Sequence, residues 1–239
     1  MRDVLVIPYN KEESLVIASD NSGGIGLKHE DLIKVSYEDV AYYALRVSMM
    51  ECIAIGATPL AIILQNFSGD QVWQSLVTGI EKGLLELGLT DLSITGSTES
   101  NFELKQSATA VSVMGKIHAS KDIHTIEFTE ENQIAVIGRP LVGEAVIHDA
   151  LHIAPLALCS KLANMEKVTV MPVGSKGILA ELNQLFEDRV FALTDITCEL
   201  DLLASSGPAT CFIISYTLAN EQKIKEMATG YFYPVKVKE

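Results

Sequence analysis

Asp20 begins the first of three polar segments whose residue types suit the binding of a metal ion and phosphate. It ends an apolar stretch and is followed by Asn21-Ser22-Gly23-Gly24-Ile25-Gly26. This order places an anionic metal ligand beside backbone N–H groups that can surround an anion, and glycine lets a backbone approach phosphate closely. An ordinary Asn-Ser-Gly-Gly turn explains the segment equally well when it is taken alone.

Glu51 is the second candidate, and its role depends on the helix that carries it. Helical steps place Ala44, Val47 and Glu51 within about 40° of one another, in a helix that is apolar almost all round and is therefore expected to be buried. A buried carboxylate is costly unless it is paired or binds a metal. Glu51 is thus predicted either to bind metal or to pair with a backbone N–H or an arginine such as Arg46 or Arg139.

The third segment is Gly96-Ser97-Thr98-Glu99-Ser100-Asn101, which follows a short predicted strand. Its hydroxyl and carboxylate oxygens are hard ligands that suit Mg²⁺ and its bound waters. A solvated loop is an equally good interpretation of this segment by itself.

Strands and helices alternate along the chain, which predicts an α/β or α+β fold. Ser36, with Asp39 three residues later, predicts the start of a helix that ends before Gly56-Ala57-Thr58-Pro59. A second helix is predicted to begin at Asp70 or Ser68, with Gly88 as its C-terminal cap. The strands predicted in this half are Asp3–Ile7, Leu15–Ser19, Leu60–Phe67, Leu92–Thr95 and Ala108–Met114.

The polar segment 117–132 shows little periodicity and predicts a boundary between domains 1–120 and 130–239. The second domain repeats the alternation of strands and helices. Its predicted strands are Gln133–Ile137, Lys167–Met171, Val190–Leu193 and Ala209–Tyr216, and its predicted helices are Pro140–Leu151, Pro155–Ala163 and Ser175–Phe186.

Composition narrows the partners that this chain is expected to have. The chain has 239 residues and a formal net charge of −13. A free-standing nucleic-acid binder normally presents a basic face, and an anionic membrane surface repels an acidic protein, so neither partner is expected. The N-terminal apolar run is too short for a signal peptide, no stretch is long enough to span a membrane, and the four cysteines form no CxxC pair. A cytoplasmic location is therefore expected.

Several common site motifs are absent from the sequence. There is no GxxxxGK[ST] phosphate loop and no GxSxG nucleophile elbow. Gly24-Ile25-Gly26 begins like a dinucleotide fingerprint but the third glycine is missing. His148 and His152 have a spacing that could hold zinc, but no HExxH motif completes it, which favours surface histidines.

Together the three polar segments resemble the aminoimidazole-ribonucleotide-synthetase-like (PurM-like) superfamily. Its members carry an acidic strand end with glycines, then a helix of the pattern [ND]-D-x-x-x-x-G-A-x-P, then a G-G-[DE]-T loop. The last two read here as Met50–Pro59 and Gly96–Glu99, in matching order and spacing over roughly residues 1–115. The second half matches more loosely, through Pro172–Leu179 and Ser206–Thr210.

The chain departs from the superfamily pattern at several acidic positions. The helix carboxylate is Glu51 instead of aspartate, Ser97 replaces the second glycine of the third segment, and Thr98 stands at its acidic position, with Glu99 one residue later. The acid of the C-terminal turn is missing, since Val173 and Gly174 stand there.

The resemblance implies a two-domain fold that binds ATP and Mg²⁺. It implies an N-terminal mixed sheet, which often dimerises into a shared barrel, and a C-terminal α/β layer. Asp20, Glu51 and Glu99 are the implied metal ligands, and Asp20, Glu51 and Lys28 the implied catalytic residues. The implied cofactor-binding residues are Asn21, Ser22, Gly23, Gly24, Gly26, Asn66, Gly96, Ser97 and Thr98.

The function that this resemblance implies is phosphoryl transfer from ATP to a small-molecule acceptor by a homodimer. The Ser-Asp-Asn-Ser-Gly-Gly-Ile-Gly stretch is similar to the branch that contains α-ribazole kinase, an enzyme of cobamide salvage. A thiamine-monophosphate-kinase-like activity and an acyl-phosphate-forming ligase are alternatives within enzymes. A non-catalytic ATP-binding regulator is the alternative from another class.

Overall fold

The computed structural model describes residues 3–121 and 125–238, and each range forms a compact unit of its own. The first unit carries a five-stranded mixed sheet. Its elements in chain order are β1 (Val4–Pro8), β2 (Glu13–Gly23), β3 (Ile25–Gly26), β4 (Ile33–Lys34), α1 (Tyr37–Ala54), β5 (Thr58–Asn66), α2 (Trp73–Leu87), β6 (Ser93–Thr98) and β7 (Ala108–His118).

The sheet of the first unit has the strand order β1-β2-β7-β5-β6, and only the β5–β6 pair is parallel. Strands β3 and β4 form a separate small parallel pair. Helix α1 covers one face of the large sheet, where Val16, Ile62, Leu64 and Val111 are fully buried, and α2 packs against α1. This arrangement places the ends of β2, β5 and β6 and the loop before β7 around one end of the unit.

Local sequence signals define both helices. The Ser36 hydroxyl accepts a hydrogen bond from the Asp39 N–H at 3.1 Å and begins α1, as its sequence predicted. Gly88 ends α2 in the left-handed conformation, with φ of 69°. Because α1 has almost no polar face, it is buried between the sheet and α2.

The second unit contains a five-stranded sheet of order β10-β12-β8-β11-β9, and the four pairs in this sheet are antiparallel. Its elements are β8 (Asn132–Ile137), α3 (Ala145–His148), α4 (Leu156–Ala163), β9 (Val168–Pro172), α5 (Ile178–Leu185), β10 (Ile196–Thr197), β11 (Phe212–Thr217), α6 (Glu221–Met227) and β12 (Phe232–Val237). The core on its α5 side includes Val136, Ile178, Phe186 and Ile213.

Two elements predicted in the second half are wrong. The helix predicted at Pro140–Leu151 shrinks to α3, because the Leu141 N–H is taken by the Thr210 hydroxyl at 2.9 Å and Gly143 adopts a positive φ. The strand predicted at Val190–Leu193 is a loop, since the Asn183 amide hydrogen-bonds both backbone groups of Phe191. Among the helices that the structure describes, none combines the length and apolarity needed to cross a membrane.

Candidate functional site

The first and third polar segments are strands for much of their length, which corrects their interpretation as loops. Pairing of β2 with β7 continues from Glu13 through Gly23, and Gly23 lies opposite Ala108. Pairing of β6 with β5 likewise continues to Thr98. The side chains of both segments therefore alternate between the two faces of the sheet.

Asp20 lies on the sheet face that α1 covers. It alternates in phase with Val16 and Ala18, which are buried, and its side chain is half-buried. Burial raises the pKa of the Asp20 carboxyl to about 6, and a hydrogen bond from the Asn21 N–H opposes this shift only in part. Such a carboxyl ionises more readily when a cation binds beside it.

The part of β2 that carries Asp20 extends past the end of its neighbour β1. The last pair between the two strands is Val4 with Ala18, so residues 19–23 pair only with β7. Asp20 and Ser22 therefore lie at an edge of the sheet, within reach of solvent.

Ser22 and Thr109 extend the polar row that begins at Asp20. Ser22 shares the face of Asp20, two residues further along β2, and Thr109 lies directly opposite it on β7. The hydroxyl oxygens of both residues are buried, and neither has a hydrogen-bond partner among the described residues. Thr109 was not identified from the sequence, because it sits in an ordinary alternating strand and only the register brings it beside Ser22.

Glu51 lies in α1 and is half-buried, with one carboxylate oxygen fully buried. One turn earlier, the Ser48 hydroxyl donates to the Val111 carbonyl at 2.8 Å, which fixes this part of α1 against β7. Helix α1 also packs on β2, the strand that carries Asp20. The two predicted metal ligands thus belong to elements in direct contact.

Asp31 organises the glycine-rich connection after β2, although no local sequence pattern indicates this role. Its carboxylate accepts hydrogen bonds from the Ser107 N–H at 2.6 Å, the Ser107 hydroxyl at 2.7 Å and the Lys28 N–H at 2.8 Å. Burial alone raises the pKa of Asp31, but these hydrogen bonds outweigh it and lower the pKa below its ordinary value. The Tyr37 hydroxyl completes the cluster at 2.9 Å from the Ser107 hydroxyl.

The cluster around Asp31 and Ser107 gives two of the three glycines after Asp20 a structural role. A Cβ at Gly26 would lie 2.5 Å from the Ser107 hydroxyl oxygen, so Gly26 allows the Asp31–Ser107 contact. The Gly24 N–H donates to the Ser107 carbonyl at 2.8 Å and is not available to a phosphate. Gly23, in contrast, has open space around its Cβ position. Of the three, Gly23 best suits the predicted approach of phosphate.

Lys28 and Glu99, from two different predicted segments, line one polar cavity of about 350 Å³. The Lys28 ammonium donates to the Leu104 carbonyl at 2.7 Å. One oxygen of Glu99 accepts hydrogen bonds from the N–H groups of Asn101 and Phe102, at 2.7 and 3.2 Å. The remaining lining residues are Phe67, Ser68, Gly69, Asp70, Gln71, Ser100, Phe102 and Glu103.

Asn66 is fully buried, and its hydrogen bonds fix the loop after β5, which lines part of this cavity. Its amide nitrogen donates to the Gly69 carbonyl at 2.9 Å and to the Thr98 hydroxyl at 3.2 Å, and its amide oxygen accepts the Ser68 N–H at 2.8 Å. Asn66 and Thr98 therefore have a structural role in this loop, in addition to the cofactor-binding role predicted for them.

The remaining predicted residues fall on different surfaces. Gly96 pairs with Leu64, and a Cβ there would lie 1.9 Å from the Leu64 carbonyl oxygen, so close strand pairing requires glycine. Asn21 and Ser97 are exposed and lie on the opposite sheet face from Asp20.

In the described parts of the chain, no three histidine, cysteine or acidic side chains are grouped closely enough to hold a metal ion. A metal site would therefore need hydroxyl or water oxygens besides its carboxylates.

Comparison with known proteins identifies the fold. No protein-family model matches the sequence, and no curated protein matches it. Thermotoga maritima PurL complexed with ATP matches with a TM-score of 0.65 at 12% identity, over 98% of this chain and 42% of PurL. The tt0281 protein of Thermus thermophilus matches with a TM-score of 0.61 at 14% identity, over 99% of this chain and 87% of that protein. A HypE–HypF complex matches with a TM-score of 0.60 at 14% identity, over 100% of this chain and 88% of that chain.

These matches confirm the predicted PurM-like fold of mixed α/β class. This chain spans less than half of the length of the PurL chain that it matches.

Proposed function

We propose that this chain is an ATP- and Mg²⁺-dependent phosphotransferase that acts on a small molecule. The observation that carries the proposal is a fold shared, over 98% or more of the chain, with Thermotoga maritima PurL structures complexed with ATP, AMPPCP and ADP. Within that fold, the half-buried carboxyl of Asp20 stands at an open sheet edge and is the strongest candidate to meet a cation.

The described residues fit a magnesium site by the chemistry of their oxygens. Asp20 and Glu51 offer carboxylates on elements in contact, and the Ser22 and Thr109 hydroxyls lie beside Asp20. When bound, Mg²⁺ neutralises phosphate charge during transfer. In our proposal, Asp20 and Glu51 hold the metal, Gly23 admits the phosphates, and Lys28 offers a positive charge to them from the neighbouring cavity wall.

The acceptor we propose is a nucleoside-like cofactor precursor, with α-ribazole as the first compound to test. The similarity of the sequence around Asp20 to the α-ribazole kinase branch supports this choice. The cavity has polar walls, and the partly exposed ring of Phe67 and the side chain of Lys28 are both among its lining residues. Such a cavity suits a compound that joins a flat ring to a polar group. Thiamine monophosphate and small carboxylic acids are the alternative acceptors.

A non-catalytic ATP-binding regulator is the second candidate, and two observations favour it. No cluster of three metal-binding side chains exists within the described residues, and one oxygen of Glu99 is engaged by its own loop. A regulator would bind nucleotide without turning it over in the presence of any acceptor.

Calorimetry and a coupled ATPase assay test the proposal together. We expect Mg-ATP to bind with a Kd in the micromolar to low-millimolar range that is typical of enzyme substrates. We expect turnover only when an acceptor is added, in a screen of nucleosides, vitamin precursors and small acids. An absence of heat and of any thermal shift at millimolar nucleotide would contradict both candidates, whereas binding without acceptor-dependent turnover would support the regulator.

We further propose that the chain forms a homodimer through the sheet face opposite α1 and α2. On that face, Leu5 and Ile7 of β1 are 57% and 39% exposed and lie beside Ile17 and Leu15 of β2. Covering such apolar side chains favours association. Light scattering is expected to give twice the 26.0 kDa mass of one chain, and Leu5→Lys is expected to lower that mass. A mass of one chain over a wide concentration range would contradict the dimer.

A further inference from the structure

Thr109 has a buried polar group that the fold itself does not use. Its side chain is only 3% exposed, and its hydroxyl oxygen makes no hydrogen bond within the described residues. A buried hydroxyl without a partner costs about 1–3 kcal/mol. The Ser22 hydroxyl, directly opposite on β2, is in the same condition.

Other buried polar side chains near this pair of hydroxyls are hydrogen-bonded. The Gln65 amide oxygen is also buried without a hydrogen bond among the described residues, but it lies on the opposite face of the sheet. Ser48 donates to Val111, Asn66 uses both ends of its amide, and Ser68 bonds the backbone of Ala108. Ser107 is bound by Asp31 and Tyr37. Two unsatisfied hydroxyls that face each other across a strand pair are best explained by a ligand that completes them.

The negative charge of Asp20, next to the hydroxyls of Ser22 and Thr109, indicates which kind of ligand would suit them. Asp20 lies on the same face of β2, two residues before Ser22. An ionised carboxylate can only accept hydrogen bonds, and hydroxyl oxygens can accept them too. A free phosphate would be repelled by Asp20, whereas the waters of a hydrated divalent cation donate to carboxylate and hydroxyl oxygens alike. Mg²⁺ in proteins usually keeps several of its waters.

We propose that Thr109, together with Ser22, binds the water shell of the divalent cation that Asp20 binds. This inference rests on the magnesium site of the proposed function and adds Thr109 to it as a positioning residue. In this proposal the cation approaches from the sheet edge beyond the end of β1, because Asp20 and Ser22 keep part of their surface exposed there, whereas Thr109 is buried.

Thr109→Val tests the inference, because valine has the shape of threonine but no hydroxyl. Metal-free Thr109→Val is expected to resist urea at least as well as the wild type, since removing an unsatisfied buried hydroxyl does not weaken the fold. Its affinity for Mn²⁺ and Mg²⁺, titrated calorimetrically without nucleotide, is expected to fall about tenfold, as for other residues that support metal ligands. Thr109→Ser keeps the hydroxyl and is expected to stay within about twofold of the wild type.

The same measurements separate failure of this inference from failure of the proposed function. If the wild type binds metal and Thr109→Val binds it equally well, the role of Thr109 is refuted while the magnesium site stands. A clear loss of metal-free stability in Thr109→Val also refutes it, because the hydroxyl would then have a partner within the protein. If the wild type binds neither Mn²⁺ nor Mg²⁺, the proposed magnesium site at Asp20 is refuted, and the proposed role of Thr109 is refuted as well.

Discussion

At pH 8 and without metal, Asp20→Asn is expected to raise the free energy of unfolding by about 3 kcal/mol. Burial raises the pKa of Asp20 from 3.8 to about 6 in the folded protein, so ionisation of this carboxyl opposes folding. Asparagine carries no charge at any pH, and its side-chain oxygen can still accept the Asn21 N–H. Urea unfolding of both proteins measures the difference.

The pH dependence gives this prediction its sign. Below about pH 4, Asp20 is protonated in both the folded and the unfolded state, and the two proteins should be equally stable. Between about pH 4 and 6 the folded state retains the proton more strongly, so the wild type loses stability relative to Asp20→Asn as the pH rises. Above about pH 6 the difference is constant. A less stable Asp20→Asn at pH 8 would show that a cationic group of the protein already pairs with Asp20.

Asp31→Asn is the matched control, and its effect has the opposite sign. Hydrogen bonds from Ser107 and Lys28 lower the pKa of Asp31 despite its burial, so the ionised carboxylate stabilises the fold at neutral pH. That contribution is present above the unfolded pKa and is lost as the pH falls through the lower folded pKa. Asp31→Asn should therefore be less stable than the wild type at pH 8.

Added Mg²⁺ is expected to narrow the stability difference between Asp20→Asn and the wild type. A cation that binds the folded wild type through Asp20 stabilises it by mass action, and asparagine lacks the charge that Mg²⁺ prefers. Asp20→Asn should gain little from millimolar Mg²⁺ and should lose most acceptor-dependent ATP turnover.

The features that were predicted from the sequence are those that depend on neighbouring residues. The start of α1 follows from Ser36 and Asp39, and the end of α2 from Gly88, because helix caps are local hydrogen-bonding patterns. Burial of Glu51 follows in part from the apolar surroundings of its helix, and one of its oxygens is indeed buried.

Features that depend on long-range pairing could not be predicted in this way. The glycines after Asp20 favoured a loop, but β2 continues as a strand to Gly23. There it pairs with Ala108 of β7, which lies about 85 residues later in the chain. Asp31 gained its role from Ser107, whose position 76 residues later no local pattern indicates. Thr109 became a candidate only when the register placed it opposite Ser22.

Gly96→Ala is expected to destabilise the protein by about 3 kcal/mol or more, at the upper end of the range for overpacked sites. The added Cβ would lie 1.9 Å from the carbonyl oxygen and 2.8 Å from the carbonyl carbon of Leu64. Both are backbone atoms of β5, a central strand, so relief requires β6 to separate from β5. Urea unfolding and far-UV circular dichroism measure the loss.

Gly23→Ala is the comparison that separates structure from binding at the two glycines. Apart from Gly23 itself and its two chain neighbours, no described residue has an atom within 4 Å of a Cβ at Gly23, so alanine should change the free energy of unfolding by no more than about 1 kcal/mol. If Gly23 admits phosphate, the added methyl group should weaken Mg-ATP binding in calorimetry while the fold stays intact. Gly96→Ala should show the reverse, with loss of stability as its first effect. A Gly96→Ala protein as stable as the wild type that no longer binds Mg-ATP would instead place Gly96 at the nucleotide.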